Sequence, residues 1–186
     1  MSKDKYLKLI QEQRKISKVE KFSGNFLEYM EKVEKDPTIA QHAHKRLYGA
    51  ICDHGIEKMS NENPRKRKIF NSENIKTYKY FEKEFFGMEN VIEKIMKYLK
   101  GASLRGEESR QVLLLMGPVG AGKSALTEHI KKSIDGLSYF HIKNDPQKGE
   151  PLQLLPRSLR ENFEEILGTK IDGDLSPIVR YHLIET

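Results

Sequence analysis

The sequence has 186 residues, which is enough for one domain or for a small domain with a helical extension. Only 37% of the residues are hydrophobic, and the longest unbroken apolar run covers residues 112–116. A membrane-spanning helix needs about 20 apolar residues, and the charged N-terminus lacks the apolar stretch of a secretory leader. We therefore expect a cytoplasmic protein, and the single cysteine, Cys52, excludes an internal disulfide.

The net charge of +6 is concentrated in the first part of the chain. Residues 1–110 carry 24 Lys and Arg against 17 Asp and Glu, whereas residues 111–186 carry 9 against 10. A basic surface can bind nucleic acid, but a solvated, lysine-rich helical arm is the commoner cause of such an excess. We therefore expect a helical arm rather than a nucleic-acid surface.

Apolar residues recur at helical spacing before residue 60. They predict two helical pieces within residues 1–35, interrupted at 22–25, and a third helix over 39–51 that Gly55 ends. Residues 60–77 lose this periodicity, and they indicate an exposed linker or a β-ribbon.

Further along, the spacing predicts a helix over 88–100 and a loop over 101–108. A short apolar run at 111–116 then predicts a buried strand, followed by a glycine-rich turn and a helix over 124–133. The later elements are a second strand, a helix and a group of turns, at 139–142, within 152–167 and at 172–177.

The glycine-rich turn carries the strongest chemical signal. It fits the phosphate-binding pattern G-x-x-x-x-G-K-[ST] without a mismatch, in the order Gly117, Pro118, Val119, Gly120, Ala121, Gly122, Lys123, Ser124. In such a loop the main-chain N–H groups and the positive end of the following helix bind phosphate. Lys123 is then the candidate catalytic residue, neutralising the β- and γ-phosphates of ATP, and Ser124 is the candidate Mg²⁺ ligand.

Two other features bear on nucleotide chemistry. Phe86 and Gly87 stand about thirty residues before the turn, where AAA+-like ATPases place adenine contacts, so they are candidate cofactor-binding residues.

Hydrolysis also needs a carboxylate at the end of a second apolar strand. No aspartate after Ser124 follows four apolar residues. We therefore expect the chain to bind ATP without turning it over efficiently.

Beyond the loop, the sequence resembles the N-terminal part of PrkA-type serine protein kinases, which contain an AAA+-like ATPase region. The similarity extends from about Phe22 onward, and its segments occur in the same order as in the family: 26–29, 40–46, 81–87, 113–119, 151–156 and 171–177. One departure is residues 143–146, Lys-Asn-Asp-Pro, where family members carry Cys-Pro. No role of that cysteine can therefore be transferred to this chain.

The resemblance implies an α/β fold, with an N-terminal helical arm followed by the first part of a P-loop, AAA+-like parallel sheet that is incomplete here. We accordingly divide the chain into a helical region 1–59, a basic linker 60–80 and a partial nucleotide-binding domain 81–186. For a full-length protein the resemblance also implies phosphoryl transfer from Mg·ATP to serine of a protein substrate, and assembly into a homo-oligomeric ring.

Two alternatives remain open at this point. The first is an AAA+ ATPase that remodels proteins or nucleic acids without kinase activity. The second is a basic helical interaction module for which nucleotide is only a structural ligand.

Overall fold

The computed structural model of the protein describes residues 22–58 and 75–185. Contacts between Cα atoms divide the chain into two compact units, one formed by Met1–Pro37 with His141–Thr186 and the other by Thr38–Phe140. None of the helices in the described ranges combines the length and the hydrophobicity required to cross a bilayer. The predicted division at residues 59 and 80 follows composition and motif rather than packing, and it stays a prediction.

The unit 38–140 starts with two helical segments and a β-hairpin. Helix α1, Phe26–Lys35, belongs to the other unit. In this unit, a short 3₁₀ helix, Pro37–Ala40, leads to α2, Ala43–Cys52. Gly55, with φ +110°, then turns the chain into β1, Ile56–Lys58. β1 pairs antiparallel with β2, Lys76–Tyr78, so that Ile56 lies opposite Tyr78.

Over residues 75–140 this unit contains three α-helices, α3, Lys79–Glu82; α4, Glu89–Ser103; and α5, Lys123–Lys132, and a 3₁₀ helix, Glu107–Arg110. The apolar stripe of α4 supplies the centre of the core, with Ile92, Ile95, Met96 and Leu99 all buried. Leu126 of α5 is buried in the same cluster, at 1% exposure. The helices predicted over 88–100 and 124–133 are therefore confirmed, with small shifts at their ends.

The segment 111–116 departs from its prediction. It contains no strand, and Val112, Leu114 and Met116 are 92%, 73% and 84% exposed, whereas only Leu115 packs partly against the core. A strand exists only where a neighbouring segment pairs with its main chain, and in the described ranges the one sheet is the β1–β2 hairpin. The prediction of a buried strand is wrong for this structure, although the mixed helix and strand content is confirmed.

The other unit, described over 22–37 and 141–185, starts with α1. Its N-terminus carries a capping box, because Asn25 Oδ1 accepts from the Glu28 N–H at 2.9 Å and Glu28 Oε2 accepts from the Asn25 N–H at 3.2 Å. Tyr29 and Val33 form the buried face of this helix. The predicted break at 22–25 and the helix after it are thus confirmed.

After residue 141 this unit consists of turns and short helices. Two 3₁₀ helices, Pro151–Leu154 and Arg157–Leu159, precede α6, Arg160–Leu167, and α7 covers Pro177–Glu185. The predicted helix within 152–167 is confirmed. The strand predicted over 139–142 is wrong, because residues 139–142 have no strand partner and are assigned no regular structure.

A buried carboxylate holds the loops of this unit together. Asp145, 5% exposed, accepts hydrogen bonds from the N–H groups of Gln147 (3.1 Å) and Gly149 (2.7 Å) and from the Ser176 hydroxyl (2.8 Å). Ser176 Oγ in turn accepts from the N–H of Val179 in α7. Asp145 therefore links the turn 145–149 to the start of α7, a role that the residue order alone did not reveal.

Two sequence features cannot be followed further. The apolar stripe before residue 22 and the four consecutive cations at 65–68 lie outside the described residues.

Candidate nucleotide-binding site

The glycine-rich turn lies directly before α5. Gly120 (φ +81°) and Gly122 (φ +75°) both have left-handed backbone conformations, which are unfavourable for residues that carry a Cβ atom. The N–H of Ala121 points back to the carbonyl of Pro118, at 3.4 Å. The two glycines therefore reverse the chain and bring it into the first turn of the helix.

Lys123 is the first residue of α5, and its side chain folds back over the turn. Its Nζ donates to the carbonyl oxygens of Gly117 at 2.8 Å and of Pro118 at 2.6 Å. The ammonium group is thereby held at the mouth of the turn, bonded only to neutral acceptors. An anionic oxygen in the same place would be the stronger acceptor, because hydrogen bonds between charged groups are about twice as strong as neutral ones.

The start of α5 provides unused donors. Within residues 22–58 and 75–185, the main-chain N–H groups of Lys123, Ser124 and Ala125 have no acceptor, and no side chain caps the helix at Gly122. The first intrahelical bond runs from the Leu126 N–H to the Gly122 carbonyl, at 2.9 Å. These donors, together with the positive end of the helix dipole, suit an anion.

The helix that presents these donors is fixed at its other end by His129. Tyr80 Oη donates to the His129 carbonyl at 2.7 Å, and His129 Nε2 lies 3.1 Å from the Tyr80 carbonyl, so that the ring donates to it. Burial, followed by the negative charges of Glu84 and Asp135, raises the pKa of Tyr80 and keeps its hydroxyl a donor.

The other ring nitrogen, His129 Nδ1, lies 2.9 Å from Glu84 Oε2, although the angle is not that of a hydrogen bond. The imidazole ring also packs against the rings of Tyr80, Phe81 and Phe85. His129 is thus a structural residue that connects α5 to α3. The sequence offered no signal for this role, because its partners lie some fifty residues away.

The segment that precedes α4 lies beside the turn. Met88 Sδ would be 3.7 Å from a Cβ placed on Gly122, so the methionine side chain packs against the end of the turn. Phe85 is buried in the core, whereas Phe86 is 63% exposed, and Gly87 has φ +74°. The structure therefore places Met88, the residue after Gly87, against the glycine-rich turn, a contact that sequence reasoning missed.

At the start of α5, the Ser124 hydroxyl is the candidate metal ligand. Ser124 is exposed at the start of α5, beside the unused N–H donors. Mg²⁺ in nucleotide sites takes one or two protein oxygens together with phosphate oxygens and water, and the Ser124 hydroxyl fits that pattern. Across the described ranges, no group of three His, Cys, Asp or Glu side chains could hold a metal ion without a ligand.

Comparisons with known proteins show the family to which the chain belongs. The family model of the PrkA AAA domain matches residues 24–186. The chain is 34% identical over 179 residues to the ATP-dependent protease PrkA of Bacillus subtilis, covering 92% of this chain and 26% of that protein. It is 40% identical over 104 residues to the serine/threonine kinase YeaG of Escherichia coli K12, covering 56% of this chain and 16% of the kinase.

A shorter match is to the Lon protease of Treponema pallidum, 36% identical over 59 residues, which covers 32% of this chain and 7% of the protease. The chain thus spans about a quarter or less of the length of these relatives. No solved structure matches it significantly. Since the family model covers most of the sequence and includes the whole turn, the chain belongs to the PrkA AAA domain family.

Proposed function

We propose that this chain is the ATP-binding part of a PrkA-like serine protein kinase and that it binds Mg·ATP at residues 117–124. The observation that carries the proposal is the start of α5, where, among the described residues, three main-chain N–H groups lack an acceptor and the Lys123 ammonium bonds only to carbonyl oxygens. Such an arrangement gains most from a ligand with several anionic oxygens, and a triphosphate supplies them.

Each residue of the turn has a definite part in this proposal. The N–H groups that follow Gly120 and Gly122 donate to phosphate oxygens, and Lys123 exchanges its bonds to Gly117 and Pro118 for bonds to the β- and γ-phosphates. The Ser124 hydroxyl would hold Mg²⁺, which supplies charge neutralisation when bound. Phe86 and Gly87 contact the adenine, with Met88 between them and the turn.

Lys123 is also the proposed catalytic residue. In phosphoryl transfer the protein contributes mainly positioning and charge stabilisation, so a fixed ammonium group can act without any change in protonation. In the part of the chain that the structure describes, two of the aspartates that follow Ser124 are already engaged and therefore unsuited to position the attacking hydroxyl. Asp145 is committed to three hydrogen bonds in its loop, and Asp174 is paired with Arg157. We therefore expect binding without efficient turnover in this chain alone.

The finer features of the family belong to the same proposal. The segment 111–116 is suited to a central strand of a parallel sheet, because residues 112–116 are all apolar, as in strands that are covered on both faces. Its exposure in this structure is the reason to expect that such a sheet requires further strands. We likewise propose that the full-length protein forms a homo-oligomeric ring, acts on a serine-containing protein substrate and is located in the cytoplasm.

One alternative is supported by the names of the relatives. The Bacillus subtilis relative is called an ATP-dependent protease, and a Lon protease also matches. These names favour the alternative of an AAA+ ATPase that acts on proteins without kinase activity. In a PrkA-length protein that contains this chain, transfer of the γ-phosphate of ATP to serine of an added protein supports the kinase. ATP-dependent loss of the added protein, without labelling, supports the alternative.

The binding step is tested on the 186-residue chain by isothermal titration calorimetry with Mg·ATP. Lys123→Ala removes hydrogen bonds to charged groups worth about 1.5–3 kcal/mol, so the affinity should fall about 10- to 100-fold. Lys132→Ala is the matched control, because it removes the same charge from the exposed last residue of α5. Equal affinity of the two variants would remove Lys123 from the site.

The metal ligand has a separate readout. Ser124→Ala should lower the affinity measured with Mg²⁺ towards the value measured in EDTA, while the affinity in EDTA stays the same. A variant that keeps the full effect of Mg²⁺ would show that Ser124 is not a ligand.

A further inference from the structure

A second positively charged site lies in the unit described over 22–37 and 141–185. A cleft of about 390 Å³ opens between the two 3₁₀ helices and the start of α7. Its charged lining consists of Arg157, Arg160, Arg180 and Asp174. Three guanidinium groups therefore face a space that contains one carboxylate.

Arg160 is fixed by the main chain. Its Nε donates to the Leu155 carbonyl at 3.1 Å, Nη1 to the Gly173 carbonyl at 2.8 Å and Nη2 to the Gln153 carbonyl at 3.3 Å. These acceptors come from both sides of the cleft, so the guanidinium holds the two sides together. Because all three acceptors are neutral, the positive charge of Arg160 is retained.

Arg157 holds the single carboxylate of the cleft. Its Nη2 lies 2.7 Å from Asp174 Oδ1 and 2.6 Å from Oδ2, and its Nε lies 3.2 Å from Oδ1. The hydrogen bonds from Arg157, reinforced by its charge and by those of Arg180 and Arg160, lower the pKa of Asp174. Asp174 is therefore ionised at neutral pH, and the four side chains carry a net charge of +2.

Arg180 has the most donors to spare. Its single hydrogen bond to the protein runs from Nη2 to the Leu175 carbonyl, at 3.3 Å, among the residues that the structure describes. A guanidinium can donate through several N–H groups in a planar fork that fits the oxygens of a phosphate or carboxylate. Arg180 is thus free to bind a ligand in the cleft while Arg160 maintains its shape.

We propose that this cleft binds a dianionic phosphate group. The charge of the ligand matches the net charge of +2 of the lining, and its oxygens match the planar fork of Arg180. This site belongs to a different unit from the phosphate-binding turn, and the proposal does not rest on the proposed function. The phosphate can come from a phosphorylated protein side chain or from free phosphate.

The probe is inorganic phosphate, added at constant ionic strength to the ¹⁵N-labelled 186-residue chain and followed by the amide resonances. We expect saturable shifts at residues 153–160 and 173–180, independent of any shifts at 117–124. Arg180→Ala should weaken this binding about tenfold, as expected for loss of a hydrogen bond to a charged group, and Arg180→Lys should restore part of it. Arg110→Ala, an exposed arginine in the other unit, is the control.

Substitution of Asp174 should change the phosphate affinity in the opposite direction. Asp174→Asn removes the repulsion between the carboxylate and the phosphate, so phosphate should bind a few-fold more tightly. Thermal unfolding of each variant distinguishes lost binding from lost folding. The absence of shifts at 153–180, or equal phosphate affinity of wild type, Arg180→Ala and Asp174→Asn in folded protein, would overturn the proposal.

The source of the phosphate is distinguished by competition. A phosphoserine peptide that displaces inorganic phosphate at lower concentration than the same peptide with serine indicates a phosphorylated protein. Equal behaviour of the two peptides, with phosphate binding intact, indicates free phosphate. Both results support the phosphate site, and only the loss of phosphate binding itself contradicts it.

Discussion

Alanine substitutions at two glycines of the glycine-rich turn should have opposite effects on stability. Gly122 has a left-handed backbone (φ +75°), whereas Gly117 does not. Alanine at Gly122 has room, since its Cβ would lie 3.7 Å from Met88 Sδ, an ordinary contact. The cost of Gly122→Ala is therefore conformational, about 1–2 kcal/mol for a left-handed residue with a Cβ.

Gly117→Ala is the matched control. Its Cβ would lie 3.8 Å from both Ala121 Cβ and Lys123 Cδ, so the new methyl group fits without displacement. In a compatible conformation, replacing glycine by alanine stabilises a protein by about 0.4–1 kcal/mol through the entropy of the unfolded chain. The two variants should thus differ by about 2 kcal/mol in free energy of unfolding.

Differential scanning calorimetry measures this difference. For a chain of this length, 1 kcal/mol corresponds to about 2–4 °C in Tm, so Gly122→Ala should unfold about 4–8 °C below Gly117→Ala. If the turn instead relaxes out of the left-handed conformation, its N–H groups are re-aimed and the Mg·ATP affinity of Gly122→Ala falls. Two variants that are alike in both Tm and affinity would refute the geometry described for the turn.

Two further predictions concern stability. Leu126→Ala empties a core position that is 1% exposed and should lower the free energy of unfolding by about 2–5 kcal/mol. Leu114→Ala, at a position that is 73% exposed, should change it by about 0.5 kcal/mol or less. Chemical denaturation compares the two variants, and equal losses would show that 111–116 is packed in solution. Burial alone would raise the pKa of Asp145, but hydrogen bonds from Gly149, Ser176 and Gln147 outweigh it and lower the pKa below the ordinary 3.8. The stability that Asp145 contributes is therefore complete above about pH 4 and is lost as the pH falls towards its folded-state pKa. The Asp145→Asn variant should be less stable than the wild type at neutral pH and less sensitive to acid. An unchanged dependence of its stability on pH would contradict this role.

The helices were largely predictable because their signals are local. The apolar spacing in 88–100 predicted α4, Glu89–Ser103. The motif at 117–124 predicted the helix that follows it, α5. The helix start at Phe26 is fixed by the Asn25 cap, which is also a local feature. Family membership followed from ordered matches along the sequence, and the family model confirms it.

The failures have a common physical cause, since they depend on partners distant in sequence. Residues 111–116 have the composition of a buried strand, but pairing decides whether a strand forms, and composition carries no information about the partner. The Tyr80–His129 contact and the convergence of Arg157 and Arg180 on one cleft likewise arise only from packing. α7 is an exception, because Pro177 at its first position is a helix-start signal that we interpreted as a turn.

The most direct test of nucleotide binding is the location of Mg·ATP on the chain. Titration of the ¹⁵N-labelled protein with Mg·ATP, followed by amide resonances, should give saturable shifts centred on residues 117–125 and extending to Met88. Shifts confined to other parts of the chain, or none at millimolar Mg·ATP in folded protein, would contradict the account.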